Sequence, residues 1–159
     1  IHYVQDKDAL VSEVSKTLKI GGRFAFNTSF YEGGQPPGSE NFYRKWMLKA
    51  ARILRREYGL KRDPSSRVES RKQLTAENYR ELLLGHKLEV IKQEIDLVKV
   101  PLEGWLDISQ FEDFIAGVMP GVPLEKASSA LQKGAAETYK EMDIEYVHRN
   151  WLDVVAVKI

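Results

Sequence analysis

Apolar positions recur along this chain in two periods, and the switches between them mark its elements. Leu10, Val11, Val14 and Leu18 follow the spacing of one helix face behind Asp6, a capping residue, and predict a helix from about Lys7 to Leu18. Gly21 stands where a left-handed C-terminal turn is wanted. Phe24-Ala25-Phe26 is a short apolar run consistent with a buried strand, and it ends in polar Asn27-Thr28-Ser29. The stretch Gly33-Gly34-Gln35-Pro36-Pro37-Gly38 continues neither regular structure and reads as a loop. Ser39 and Glu40 then open a helical pattern carried by Phe42, Trp46, Leu48, Ile53 and Leu54 up to Tyr58-Gly59, with a basic opposite face.

Asp63-Pro64-Ser65-Ser66 breaks the chain again, and Thr75 caps a short helix with Tyr79, Leu82 and Leu83 that stops at Gly85. Between Leu88 and Val100 the apolar residues are β-branched and mostly alternating, which predicts a long strand closed by Pro101. Asp107 or Ser109 is positioned to cap a helix with Phe111, Phe114 and Ile115 inward, ending at Gly117 to Gly121, and a further helix runs from about Leu124 to Met142. Ile144 to Arg149 and Trp151 to Lys158 read as two extended segments. The second alternates Leu152, Val154 and Ala156 with Val155 and Val157, as a strand buried on both faces would. The element order is that of an α/β fold with extra helices inserted.

At 159 residues and 43% hydrophobic the chain can bury a core and form one domain, or an incomplete one. A net charge of +1 argues against nucleic acid or a membrane surface as the main partner. The distribution says more than the sum. From Arg44 to Lys72 eleven basic residues stand against three acids, Glu57, Asp63 and Glu69, so this segment is either a solvated helix face or a meeting point for an anionic partner such as a carrier protein or a phosphorylated substrate. The absence of cysteine excludes disulfides, thiolate metal sites and a cysteine nucleophile. No apolar run approaches the ~18 residues of a membrane span, and the chain reads as soluble and cytoplasmic. No carboxylate pair, Ser-His-Asp arrangement or metal-ligand cluster is visible.

Leu18-Lys19-Ile20-Gly21-Gly22-Arg23-Phe24-Ala25-Phe26 ends a helix, turns on two glycines and opens a strand within nine residues. With Ile1-His2-Tyr3-Val4 before it, it resembles the passage from the fourth to the fifth strand of the class I S-adenosylmethionine-dependent methyltransferases of the small-molecule type, Ile20 replacing the usual proline. Leu74 to Gly85 resembles the helix before that family's sixth strand, and Trp151 to Lys158 its closing strand. The resemblance covers about half of the chain. It implies the C-terminal half of a Rossmann-like methyltransferase sheet, with strands ordered fifth, seventh, sixth and helical lid insertions at about 39–72 and 105–142. The glycine-rich loop and the acidic residue that hold S-adenosylmethionine in the family belong to an N-terminal half outside this sequence, so the chain alone is expected to bind that cofactor poorly and to be inactive.

On the same resemblance, Ile1, His2 and Tyr3 stand at the end of the fourth strand as cofactor contacts, and His2 is the candidate catalytic base. The bland alternative is an ordinary loop. Asn27, Ser29, Phe30 and Tyr31 follow the fifth strand on the same edge and are candidate substrate contacts, although strand-end capping explains Asn27 to Ser29 equally well. Trp46 and Trp105 are candidates to roof an apolar substrate pocket, against the commoner reading of aromatics at helical spacing as core. His86 reads as a solvated turn residue, and His148 carries no chemistry. The implied activity is methyl transfer to a small, anionic or carrier-bound molecule by a longer parent protein. The competing reading is a non-catalytic α/β ligand-binding or dimerisation module. In either case the outer edge of Phe24 to Ser29 is expected to seek a partner, giving a homodimer if the chain stands alone.

Overall fold

The computed structural model describes residues 1–63, 65 and 73–159. Its elements are α1 (Lys7–Thr17), β1 (Arg23–Thr28), α2 (Glu40–Tyr58), α3 (Ala76–Gly85), β2 (Leu88–Pro101), α4 (Leu102–Ile108), α5 (Glu112–Val118), α6 (Leu124–Met142) and β3 (Tyr146–Lys158). They divide into two compact units. Ile1–Pro36, the described part of Glu69–Val98 and Arg149–Ile159 form an α/β unit; the described part of Pro37–Val68 and Lys99–His148 form a helical one.

In the α/β unit the three strands are ordered β1-β3-β2, so the last strand lies between the other two, and β1 pairs with β3 antiparallel from Arg23↔Val157 to Thr28↔Leu152. Asp6 caps α1 by accepting from the Ala9 N–H at 2.8 Å. Thr75 caps α3 in a reciprocal box: its Oγ1 accepts from Asn78 N–H (3.0 Å) while Asn78 Oδ1 accepts from Thr75 N–H (3.3 Å). Both helices feed one core, in which Val11, Tyr79 and Leu83 pack with Leu88, Leu152, Val154 and Ala156.

Gly21 is needed for a different reason from the one its position suggests. Its φ is +79°, but α1 ends at Thr17, and the Gly21 N–H donates to Lys158 O (2.8 Å) while the Lys158 N–H donates to Gly22 O (2.8 Å). Two residues of β1's approach thus face one residue of β3, a glycine bulge closing a Lys19–Gly22 turn whose Gly22 N–H donates to Lys19 O at 2.8 Å. A Cβ on Gly22 would stand 2.8 Å from that same carbonyl. The two glycines set the register of the β1/β3 ladder rather than terminating a helix.

Three further differences from the sequence reading have physical causes. Residues Tyr146–Lys158 form one strand, not two segments, because its burial alternation changes phase at Asn150-Trp151: Val147 and Arg149 are buried before that point, and Leu152, Val154 and Ala156 after it. The strand is not buried on both faces either. Val155 and Val157 are only half-buried, since α1 and α3 pack on the Leu152 side. Finally, Leu102–Ile108 is a helix, so Asp107 lies inside it and Ser109 follows its end, where its Oγ donates back to Trp105 O at 2.6 Å; α5 begins after Phe111.

In the helical unit α2 packs on α6, which also receives α4 and α5. Ala50 and Gly134 mark the closest approach: a Cβ on Gly134 would meet the Ala50 backbone nitrogen at 2.9 Å. Around them Phe42, Trp46, Ile53, Leu54, Trp105, Ile115, Met119 and Leu131 are buried. No helix among the described residues is long and apolar enough to cross a membrane.

Candidate functional site

Where β1 leaves the ladder, the chain turns tightly, and the first residues of the sequence stand beside it. Thr28 is buried; its Oγ1 accepts from the Phe30 N–H (3.0 Å) and lies 2.9 Å from His2 Nδ1. His2 stacks on Phe30 with ring centroids 4.8 Å apart, and Tyr3 lies against both, at 4.1 Å from His2 and 5.8 Å from Phe30. The hydroxyl addressed to Nδ1 helps to hold the ring's orientation, and Nε2 is buried.

The other side of the turn is held by β3. Buried Arg149 donates from Nη2 to Ser29 O at 2.5 Å, and its guanidinium lies 4.9 Å from the Phe30 ring centroid. Asn150 secures the next stretch, its Nδ2 donating to Gly33 O (2.8 Å) and its backbone N–H to Gly34 O (3.0 Å). The Gly34 N–H donates to Tyr31 O at 2.9 Å, and a Cβ on Gly34 would stand 2.3 Å from Ser29 O, so only glycine closes the turn. Phe30 therefore meets both an imidazole and a guanidinium. Arg149 and Asn150 had no signal in the sequence beyond being the polar pair between two apolar stretches.

Of the residues singled out in the sequence, His2, Tyr3, Ser29 and Phe30 come together here. Ile1 packs against the core of the α/β unit. Tyr31 belongs to that core at 3% exposure, and burial raises its phenol pKa, with Arg149 opposing the shift. Asn27 is exposed and faces Asp153 across the ladder. Trp46 and Trp105 lie in the interior of the helical unit, 1% and 5% exposed, their rings 5.4 Å apart and edge-on; Trp46 Nε1 donates to Leu131 O at 2.7 Å. Neither lines either of two clefts in that unit, of about 610 and 250 Å³. His148 lines the smaller of them, with Tyr146 edge-on at 5.1 Å. His86 is tied to the α1 terminus, its Nε2 2.8 Å from Asp8 Oδ1. Among the described residues no cluster of three or more acids and histidines could hold a metal ion.

Gly33 and Gly34 after β1 stand close against the chain's own atoms. A Cβ on Gly33 would touch the Tyr31 ring at 3.0 Å and one on Gly34 the Ser29 carbonyl, so both serve the chain's own packing. His2, Tyr3 and Phe30 form an aromatic cluster beside the end of β1.

The sequence matches no protein-family model and no curated protein. Over 99% of its length the chain is similar to 60% of a Bacillus halodurans protein described as a candidate methyltransferase, with a TM-score of 0.46 and 15% identity. It is similar in the same way to 31% of phosphoethanolamine N-methyltransferase 2 of Haemonchus contortus. The TM-score is 0.44 with 21% identity for the complex with phosphomonomethylethanolamine and S-adenosylhomocysteine, and 0.41 with 22% identity for the complex with S-adenosyl-L-methionine. The likeness spans the whole chain and only part of each methyltransferase.

Proposed function

We propose that this chain is the C-terminal portion of a Rossmann-like S-adenosylmethionine-dependent methyltransferase domain, which in a longer parent protein transfers a methyl group to a small or carrier-bound molecule. The observation that carries the reading is the sheet order β1-β3-β2, in which the closing strand enters between two earlier ones beside a strand opened by the Leu18–Phe26 turn. In this reading β1, β3 and β2 are the family's fifth, seventh and sixth strands. Ligands of open α/β sheets gather at strand ends, and the His2, Tyr3, Phe30 and Arg149 cluster stands at the end of β1.

The cofactor supplies an activated methyl group, and the protein's share of such a displacement is mainly positioning. Within this chain, His2, held through Nδ1 by Thr28, is the base that takes the acceptor's proton. Tyr3 and Phe30 form the wall against which the reacting molecules lie, with Ser29 beside it on the substrate side. Calorimetry of this chain with S-adenosylhomocysteine is expected to give no saturable binding; a micromolar site would overturn the division of the cofactor site proposed here. In the parent protein, His2→Ala is expected to lower kcat by roughly a hundredfold or more, and unchanged turnover would remove His2 from the chemistry.

A second reading, a non-catalytic dimerisation module, is favoured by the position of β1 at the edge of the sheet. A stable dimer of the parent protein without detectable methyl transfer to any acceptor would decide for it.

A further inference from the structure

The basic residues of α2 fall into two groups. Lys45 and Lys49 turn toward α6, where both reach Glu141 at 2.5 Å, and at the far end of the helix Glu57 is shared by Lys133 (2.5 Å) and Arg56 (3.3 Å). Each of these two carboxylates thus pairs with two cations within the unit. Arg44, Arg52 and Arg55 are exposed and none makes an ion pair among the described residues; Arg44 Nη2 donates to Asn41 Oδ1 at 3.0 Å. Their spacing, with Leu48 between Arg44 and Arg52, is four, four and three residues, which places Arg44, Leu48, Arg52 and Arg55 in one line along the helix. Leu48 sits within that line at 58% exposure, although α2 has its own buried face of Phe42, Trp46, Ala50, Ile53 and Leu54.

An exposed leucine flanked on both sides by arginines that make no ion pair among the described residues has the composition of a small protein-binding surface: an apolar anchor with a charged rim, and arginine as the rim residue. The line from Arg44 to Arg55 is about 17 Å long, the length of three helical turns. We propose that this line on α2 is a docking surface for an acidic helix on a partner protein, one that carries carboxylates a turn to either side of an apolar residue. Leu48 takes the apolar residue, and Arg44, Arg52 and Arg55 take the carboxylates in forked, two-point hydrogen bonds that lysine would not give. Charge complementarity selects the partner: a neutral helix would leave three guanidinium groups facing it without counter-charge. The inference stands independently of the methyl-transfer reading, since it uses no residue of the cluster at the end of β1.

The test uses this chain and a fluorescein-labelled synthetic helix of about 18 residues with a central leucine flanked by glutamates, read by anisotropy. Saturable binding is expected. It should weaken roughly tenfold on raising salt from low to physiological strength and roughly tenfold again in the Arg52→Glu/Arg55→Glu double variant. Leu48→Ser should weaken it several-fold. The charge-swapped helix, with lysines for glutamates, should bind the double variant better than the original chain, which also shows that the variant is folded. No saturable binding, equal binding of a glutamine-for-glutamate helix, or indifference to the Arg52/Arg55 change would overturn the proposal. Tighter binding of an oligouridylate or of phosphatidylserine vesicles, unaffected by Leu48→Ser, would overturn it in favour of a phosphate-bearing partner.

Discussion

Arg149 lies over Phe30, its guanidinium 4.9 Å from the ring centroid and its Nη2 2.5 Å from the carbonyl oxygen of Ser29, the residue before that phenylalanine. One side chain from the last strand thus fixes both the backbone and the ring of the turn that follows the first. Because Arg149 is buried, its removal leaves a carbonyl without its donor and the ring without its cation. Arg149→Leu is expected to cost about 2–4 kcal/mol in urea unfolding. Amide exchange should quicken at Ser29 to Gly34, while that of α6 stays as it was. Arg149→Lys keeps the charge but not the planar fork, so it should lie between the two. Unchanged exchange in the turn would mean that Asn150 and Gly34 hold it alone.

The α2/α6 contact rests on the absence of a side chain. A Cβ on Gly134 would approach the Ala50 nitrogen to 2.9 Å and its Cα and Cβ to 3.1 Å, all on a packed helix that cannot yield locally. Gly134→Ala is therefore expected to destabilise by about 1–3 kcal/mol despite alanine's better helix propensity. Gly85→Ala, at the end of α3 with nothing within 4 Å of its Cβ, should instead be neutral or stabilising by up to about 1 kcal/mol. Denaturant midpoints of the two variants moving in the same direction would contradict this account.

Glu141 is the acid-sensitive link of the helical unit. Hydrogen bonds from Lys45 and Lys49, and the charge of both, hold its carboxyl at about 2, below its ordinary 4.5. A carboxyl depressed in the folded state contributes stability that is fully present above 4.5 and is lost as pH falls toward 2. The gap in stability between the original chain and Glu141→Gln should be open at neutral pH and close across that window. Because the three groups are partly exposed, the gap should also narrow in high salt. A carboxyl titration of Glu141 centred near 4.5 would dispose of the bridge.

Local signals made much of the α/β unit legible in the sequence. Asp6 and Thr75 are capping residues at their expected helices, and alternation marked β2 and the end of β3. What could not be read was anything that depends on a partner far along the chain. Gly21 looks like a helix terminator because the sequence does not reveal that Lys158 lies opposite it. The phase change at Asn150-Trp151 breaks one strand into two apparent segments. Pro101 looks like a stop, yet it ends β2 and stands directly before α4. In the candidate site, the sequence marks His2 and Phe30 by their place at strand ends, but Arg149 is separated from Ser29 by 120 positions and no local pattern joins them. The basic segment was visible as a run of charge; its division between Glu141 and open solvent depends on α6. Arg67, Arg71 and Lys72 of that run lie outside the described residues.

The outer edge of β1 gives the last prediction its form. In an antiparallel pair, residues alternate between those that bond to the partner strand and those that turn their N–H and C=O away. Lys158 bonds to Gly22, and the register then pairs Phe24, Phe26 and Thr28 with β3 and turns Arg23, Ala25 and Asn27 outward. Ala25→Pro therefore removes a hydrogen-bond donor that no ladder inside the chain uses, whereas Phe26→Pro removes one that β3 needs. If this edge joins two copies, the chain should sediment as a concentration-dependent dimer, and Ala25→Pro should sediment as a folded monomer with an unchanged circular dichroism spectrum. Phe26→Pro should lose at least about 3 kcal/mol. An Ala25→Pro protein that still dimerises would place the contact elsewhere, and a chain monomeric at every concentration would show that the bulge at Gly21 and the exposed Arg23 suffice to guard the edge.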